Sequence, residues 1–422
     1  MAFTSGRPPE IGPRGVDGIS ISTLIAFPLA AALAPLLSAL LARFVRVPLV
    51  VFEILLGLLI GPAMLGLVHP SEFTARLADL GLAMLFFLAG NEIDFARIRG
   101  RALNRSIMGW LVALAVGVAG GVLLAPSPAT GVFIGVALTS TALGTLMPVL
   151  RDAGELRTPF GTAIIAIGAV GEFGPLIAIS LFLSGRQPGV ATVVLLFFVL
   201  IAAAAIYLSS RGPHRQLQRL ISATLHTSGQ FAVRLVILLL LGLVALSVAL
   251  DLDMLLGAFA AGVIAKMLLA GAPPEDAEVI DTKLEAVGFG FLVPVFFVNT
   301  GVTFDLDALI SSARALALLP LFLVLLLLVR GLSGLFSAPV GTVRADRRAI
   351  VLFSATGLPI IVAVTAIGVG AGDLLPGPAA ALVGAGMLSV LLFPLLALGQ
   401  HRRAPDGAVK PPEVDSSIAE EG

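Results

Sequence analysis

Between Arg157 and Arg186 the chain runs apolar, and one ionisable side chain, Glu172, interrupts it. At about 1.5 Å per helical residue, Glu172 sits roughly 20 Å from Arg157, near the midplane of a hydrocarbon layer about 30 Å thick. A carboxylate at that depth is costly, and it is read first as functional, facing a bundle interior or a watery cavity. The plain alternative is a protonated acid satisfied by a neighbouring helix. Gly174 and Pro175 loosen the backbone beside the acid, which is tolerated only inside protein or along a cavity. Arg330 is the other charge so deep: counted back from Arg344, it reaches the depth of Glu172 in a run, 315–336, that is otherwise apolar. It is either a charge partner for Glu172 or a side chain snorkelling along its aliphatic stem to an interface.

Oxygen ligands come from two interrupted stretches. Thr139-Ser140-Thr141-Ala142-Leu143-Gly144-Thr145-Leu146-Met147-Pro148 and Ser354-Ala355-Thr356-Gly357-Leu358-Pro359 each place hydroxyls, a glycine and a proline inside an apolar run. Paired interruptions of this kind point to a transporter site, because half-helix ends and unwound carbonyls can coordinate an ion at the midplane. Structurally, the same hydroxyls can bond to the preceding helical turn and the small residues can pack helices closely. Asn299 is a further polar neighbour or an interhelical hydrogen bond. Glu53, a few residues inside one face, is an acid of a water-filled funnel or an interfacial residue, and Asp79 carries the same ambiguity on the other side.

The elements that must position these residues are membrane-spanning helices. Hydrophobic residues make up 58% of the 422 and charged ones 12%, and the mean hydropathy is +1.06, far from a soluble balance. The fold class read from this is an all-α polytopic membrane protein. Apolar runs place about thirteen spans near 20–42, 48–67, 75–90, 104–125, 130–149, 159–183, 190–209, 231–250, 253–271, 286–302, 312–336, 347–368 and 376–398. Residues 1–19 read as a polar tail without a signal-peptide core, and 399–422 as a disordered tail. A piece at 215–226 is either an amphipathic surface helix or a solvated linker.

Basic residues alternate between faces. One set of loops holds Arg43, Arg46, Arg97, Arg99, Arg101, Arg105, Arg151, Arg157, Arg211, Lys283 and Arg344 among others, while the opposite set holds Arg7, Arg14, Arg76 and Arg186. The positive-inside rule then puts the amino terminus outside and the carboxyl terminus in the cytoplasm of a multi-pass cell-membrane protein. Thirteen spans divide into six, a linker and six, giving inverted repeats, with both interrupted stretches as the fifth span of their half. Zero net charge and 6% aromatics leave no footprint for nucleic acid. The absence of cysteine excludes thiol catalysis, no nucleophile and base pair suggests an enzyme, and no cofactor motif appears.

The run Val47-Pro48-Leu49-Val50-Val51-Phe52-Glu53-Ile54-Leu55-Leu56-Gly57-Leu58-Leu59-Ile60-Gly61-Pro62 resembles the opening signature of the monovalent cation:proton antiporters, most closely their second branch of bacterial sodium/proton antiporters and potassium-efflux transporters. Phe86 to Asp94, Thr139 to Ala142 and Phe291 to Val302 resemble further stretches of that family in the same order, although Asn91 stands where an apolar residue is usual. The resemblance implies a panel domain for homodimer contacts, a core domain with two crossing broken helices, and elevator-like alternating access. Its ion-binding acid is usually an Asp, often preceded by a second acid or polar residue; here Gly171 and Glu172 stand at that place. The family's basic residue matches Arg330.

Burial balanced against a guanidinium would let Glu172 titrate in the cellular range, so that a single carboxylate binds either a proton or a cation. Competition for one acid gives exchange as long as the empty, charged site is too costly to carry across. Arginine keeps its proton in proteins, so Arg330 cannot act as a second carrier. The expected activity is one-for-one, electroneutral exchange of H⁺ for Na⁺ or K⁺, with Thr139, Ser140, Thr141 and Thr356 supplying oxygens for the monovalent metal cation beside Glu172. A sodium-coupled symporter of a small organic anion is the alternative.

Overall fold

The computed structural model describes residues 21–41, 47–93, 98, 100–183, 188–211, 230–269 and 273–401. The expected tails at 1–19 and from 402 onward, and the 215–226 piece, lie outside the described residues. Helices carry the chain: α1 (Ile21–Leu41), α2 (Leu49–Ile60), α3 (Glu72–Glu92), α4 (Arg101–Leu124), α5 (Pro128–Ala137), α6 (Leu143–Asp152), α7 (Pro159–Ala178), α8 (Pro188–Arg211), α9 (Phe231–Ala249), α10 (Met254–Leu269), α11 (Pro274–Val287), α12 (Val293–Val302), α13 (Leu306–Ile310), α14 (Ala313–Leu325), α15 (Arg344–Ser354), α16 (Pro359–Gly370) and α17 (Pro376–His401). A π-helical turn, Leu326–Gly331, extends α14 and carries Arg330.

Among the described residues, nine helices are long and apolar enough to cross a membrane, and four shorter apolar helices accompany them. These occupy the places of the expected spans and are compatible with thirteen. Several boundaries differ from the sequence reading, among them the span expected at 48–67, whose helix stops at Ile60. The segment expected at 286–302 begins at Pro274, because α11 joins α12 through a π turn at Gly288–Leu292, so Lys283 lies on a helix instead of in a loop. The last helix continues to His401.

Local chemistry explains where the helices start and stop. Ser127 and Thr158 cap α5 and α7 by accepting from the amides of Thr130 and Gly161, and a proline follows each in the first turn, where its missing N–H costs nothing. Between α5 and α6 residues 138–142 are unwound, and between α15 and α16 residues 355–358 are unwound. At the second gap Pro359 opens the next helix, which it can do only from a first turn. The two gaps lie against each other: the amide of Ala142 donates to the carbonyl of Thr356 at 2.8 Å, and the Thr141 hydroxyl donates to the carbonyl of Ser354 at 2.7 Å. Each unwound stretch thus satisfies backbone groups that the other leaves open, as hydrocarbon requires.

Two bundles share this scaffold. Helices α2, α3, α9, α10 and α12 pack on one another, and α4 to α7 pack with α14 to α17. In the first bundle α2 and α12 touch backbone to backbone at Gly57 and Gly301, where a Cβ on either would strike the other's main chain. Contacts between the bundles are fewer: α10 against α7, α3 against α6 and α17 against α2. The site lies in the seam between them.

Candidate functional site

Glu172 projects from α7 and is 1% exposed. Its carboxylate accepts from the backbone amides of Leu143 and Gly144, the first two residues of α6, while Oε2 has no partner. The opening amides of a helix are orphan donors at its positive end, so α6, which starts only because residues 138–142 are unwound, aims its dipole at the acid. Glu172 is among the residues that line a cavity of about 450 Å³ in the seam between the bundles. Its lining includes Glu53, Leu85, Glu92, Glu285 and Phe297 from one bundle, and Gly144, Thr145, Arg151, Glu172 and Pro359 from the other. The cavity reaches Val47, Arg151, Ala153 and Leu398, at the helix ends beside the basic loops.

Arg330 is also 1% exposed, so it does not snorkel. Its Nε donates to the Thr141 hydroxyl at 2.8 Å and its Nη2 to the carbonyl of Ile167, one turn before Glu172, at 2.7 Å. Among the described residues no salt bridge joins Arg330 to Glu172. The guanidinium instead ties the first unwound stretch to α7, and Thr141 completes the tie by accepting from Arg330, donating to Ser354 and giving its amide to the carbonyl of Gly171 at 3.0 Å. A Cβ on Gly171 would meet the Arg330 guanidinium and the Thr141 side chain.

The other sequence-derived residues divide. Glu53, 3% exposed, lines the cavity as a funnel acid would. Thr139, Ser140 and Thr356 are buried, and their hydroxyls donate to the carbonyls of Val136, Ala137 and Leu352 at 2.7, 2.9 and 3.1 Å, the back-bonding weighed as their structural role. Their oxygens keep free lone pairs but lie outside the cavity lining. Asn299 stands on α12, half-buried, with Oδ1 unpartnered and away from that lining. Sequence reasoning missed Thr145, Glu92, Glu285 and Arg151. Glu92 lay just past the span expected at 75–90, and its place in the run with Phe86 and Phe87 was the available signal.

Residues 29–398 match the family described as "Sodium/hydrogen exchanger, transmembrane". The chain belongs to that family. Within this exchanger family, its relatives include the putative Na(+)/H(+) antiporter YjbQ of Bacillus subtilis, 29% identical over 73% of this chain and 51% of that protein. The Na(+)/H(+)-K(+) antiporter GerN of Bacillus cereus is 27% identical over 61% of this chain and 66% of its own length. The chain therefore spans about half to two thirds of the length of these relatives. A solved structure of the sodium proton antiporter MjNhaP1 from Methanocaldococcus jannaschii is similar in fold, with a TM-score of 0.61 and 17% identity over 90% of this chain and 99% of that one. The exchanger fold, with two broken helices meeting at their unwound stretches, is thus the architecture of this multi-pass membrane protein.

Proposed function

We propose that the chain is a secondary transporter exchanging H⁺ for a monovalent cation, Na⁺ or K⁺, one for one, with Glu172 as the shared site. The observation that carries this reading is a buried carboxylate, Glu172, that lines the cavity between the bundles with its Oε2 unpartnered. An acid held on one oxygen by the α6 amides and left open on the other can take either a proton or a cation on the open side. The open oxygen, with Thr145 and cavity water, offers the oxygen donors that a hard cation prefers. Arg330 holds Thr141 and α7 in register and adds a fixed positive charge nearby, without carrying a proton. Thr139, Ser140 and Thr356 hold the unwound backbone, and Glu53 draws cations into the seam. Asn299 is an accessory polar group of the α12 wall. The transporting unit is 20–398, working as a homodimer in the bilayer with its carboxyl end in the cytoplasm. Sodium-coupled anion symport is not favoured, since the relatives are named antiporters.

The test is proton flux in proteoliposomes supplied in turn with Na⁺, K⁺ and Li⁺. Glu172→Gln is expected to abolish cation-dependent flux, and Arg330→Ala to lower it together with the melting temperature. Full flux in Glu172→Gln removes the site; exchange driven by an imposed membrane potential alone removes the one-for-one stoichiometry.

A further inference from the structure

Glu92, the last residue of α3, takes no part in the exchange as described so far. It faces Glu172 across the seam, each acid belonging to a different bundle, and both line the same cavity. The residue as a whole is half-buried, yet its Oε2 is closed off from solvent and no hydrogen bond or ion pair reaches it among the described residues. Lys266 is engaged elsewhere: it bonds to Asp281 at 3.4 Å, and Asn91, beside Glu92, donates to the same carboxylate at 3.1 Å. Arg151 and Glu285 line the same cavity as the two acids. Yet among the described residues no three acidic or histidine side chains converge closely enough to cage an ion. The acids are strung along the cavity instead of gathered, and Glu172, like Glu92, has an unpartnered oxygen.

We propose that Glu92 is a second transfer acid of the exchange, a station at which cation and proton trade places on their way between Glu172 and the basic-loop side. This rests on the reading of Glu172 as the shared site. Two carboxylates that feel each other in a poorly solvated seam avoid carrying charge together, so the pair holds one proton between them. With Glu172 protonated, the Glu92 carboxylate draws the incoming cation. The cation moves on to Glu172, the proton leaving the Glu172 oxygen is taken by the Glu92 carboxylate, and cavity water then removes it. One O–H bond breaks and one forms at each hop, and the pair is never left with two uncompensated charges.

The experiment measures proton flux against Na⁺ concentration and pH in proteoliposomes for wild type, Glu92→Gln, Glu92→Asp and Glu172→Gln, with the melting temperature of each. Glu92→Gln is expected to raise the apparent KM for Na⁺ about 10-fold and to remove one ionisation from the pH profile, with Glu92→Asp recovering most of both. A residue that merely packs would change the melting temperature and the maximal rate but leave KM and the pH profile alone. Wild-type KM and pH profile in Glu92→Gln, alongside a dead Glu172→Gln, overturn the relay alone. Full flux in Glu172→Gln overturns the shared site itself. If Glu92→Gln does not yield folded protein, Glu92→Ala takes its place, and wild-type KM and pH profile there overturn the relay equally.

Discussion

At the scale of single residues, the glycine before the acid is explained by what lies on it. The resemblance leads one to expect an acid or a polar side chain at 171, and the space such a group would fill is taken by the guanidinium of Arg330 and by Thr141. Arg330 has no room to retreat, since both of its described bonds run to fixed partners in α7 and the unwound stretch. Gly171→Ala should therefore overpack the crossing, costing about 1–3 kcal/mol and pushing Arg330 off Thr141. The expected outcome is a lower melting temperature with weakened exchange, measured on purified protein and in proteoliposomes; an unchanged melting temperature would mean that the guanidinium can move aside. Glu172 and Arg330 were legible in the sequence because a lone charge in a long apolar run has no trivial explanation. Glu92 and Glu285 were not, because an acid near a span end looks interfacial until the neighbouring bundle is seen to close over it.

At the scale of elements, three separate pieces of chain are pinned by one imidazole. His401 ends α17, and its Nδ1 lies 2.8 Å from Asp346 in the first turn of α15 while its Nε2 lies 2.9 Å from Glu155, just before α7. Its ring stacks on Phe160 at 4.2 Å between centroids. Both partners are acceptors, so the ring donates to both at once only as imidazolium. The clamp therefore contributes while the ring holds its second proton and is weakened as rising pH removes it. His401→Gln should lower the melting temperature at pH 6, by the equivalent of about 2 kcal/mol. The deficit should shrink towards pH 9, where the wild type has lost the same bond; a deficit independent of pH would assign the effect to stacking on Phe160 alone. In sequence, His401 falls in the stretch read as a disordered tail, because nothing local ties it to residues 55 and 246 positions away. The helices themselves were readable from hydropathy and from Gly, Pro and hydroxyl breaks. The start of α11 was not, since its polar first turns, with Glu275 and Asp276, read as loop.

At the scale of the whole molecule, the shared cavity lies in the seam between two bundles that are each densely packed but touch one another along few helix pairs. Exchange through a single acid requires that the acid meet one side of the membrane at a time, and a seam is where relative movement costs the fewest buried contacts. Glu172, the α6 amides and Arg330 all belong to one bundle, whereas Glu53 and Glu92 belong to the other, so sliding would carry Glu172 past Glu53 and Glu92 as a unit. Val47, ahead of α2, and Leu398, on α17, line the same cavity at its basic-loop end from opposite bundles. The natural chain has no cysteine, so Val47→Cys and Leu398→Cys introduce the only thiols. Bridging them with a short bis-maleimide should stop cation-driven proton flux, while the unbridged double variant and each single variant labelled with a mono-maleimide keep it. Undiminished flux in the bridged protein would show that the bundles need not move against each other, and access would then have to alternate through local changes at the unwound stretches.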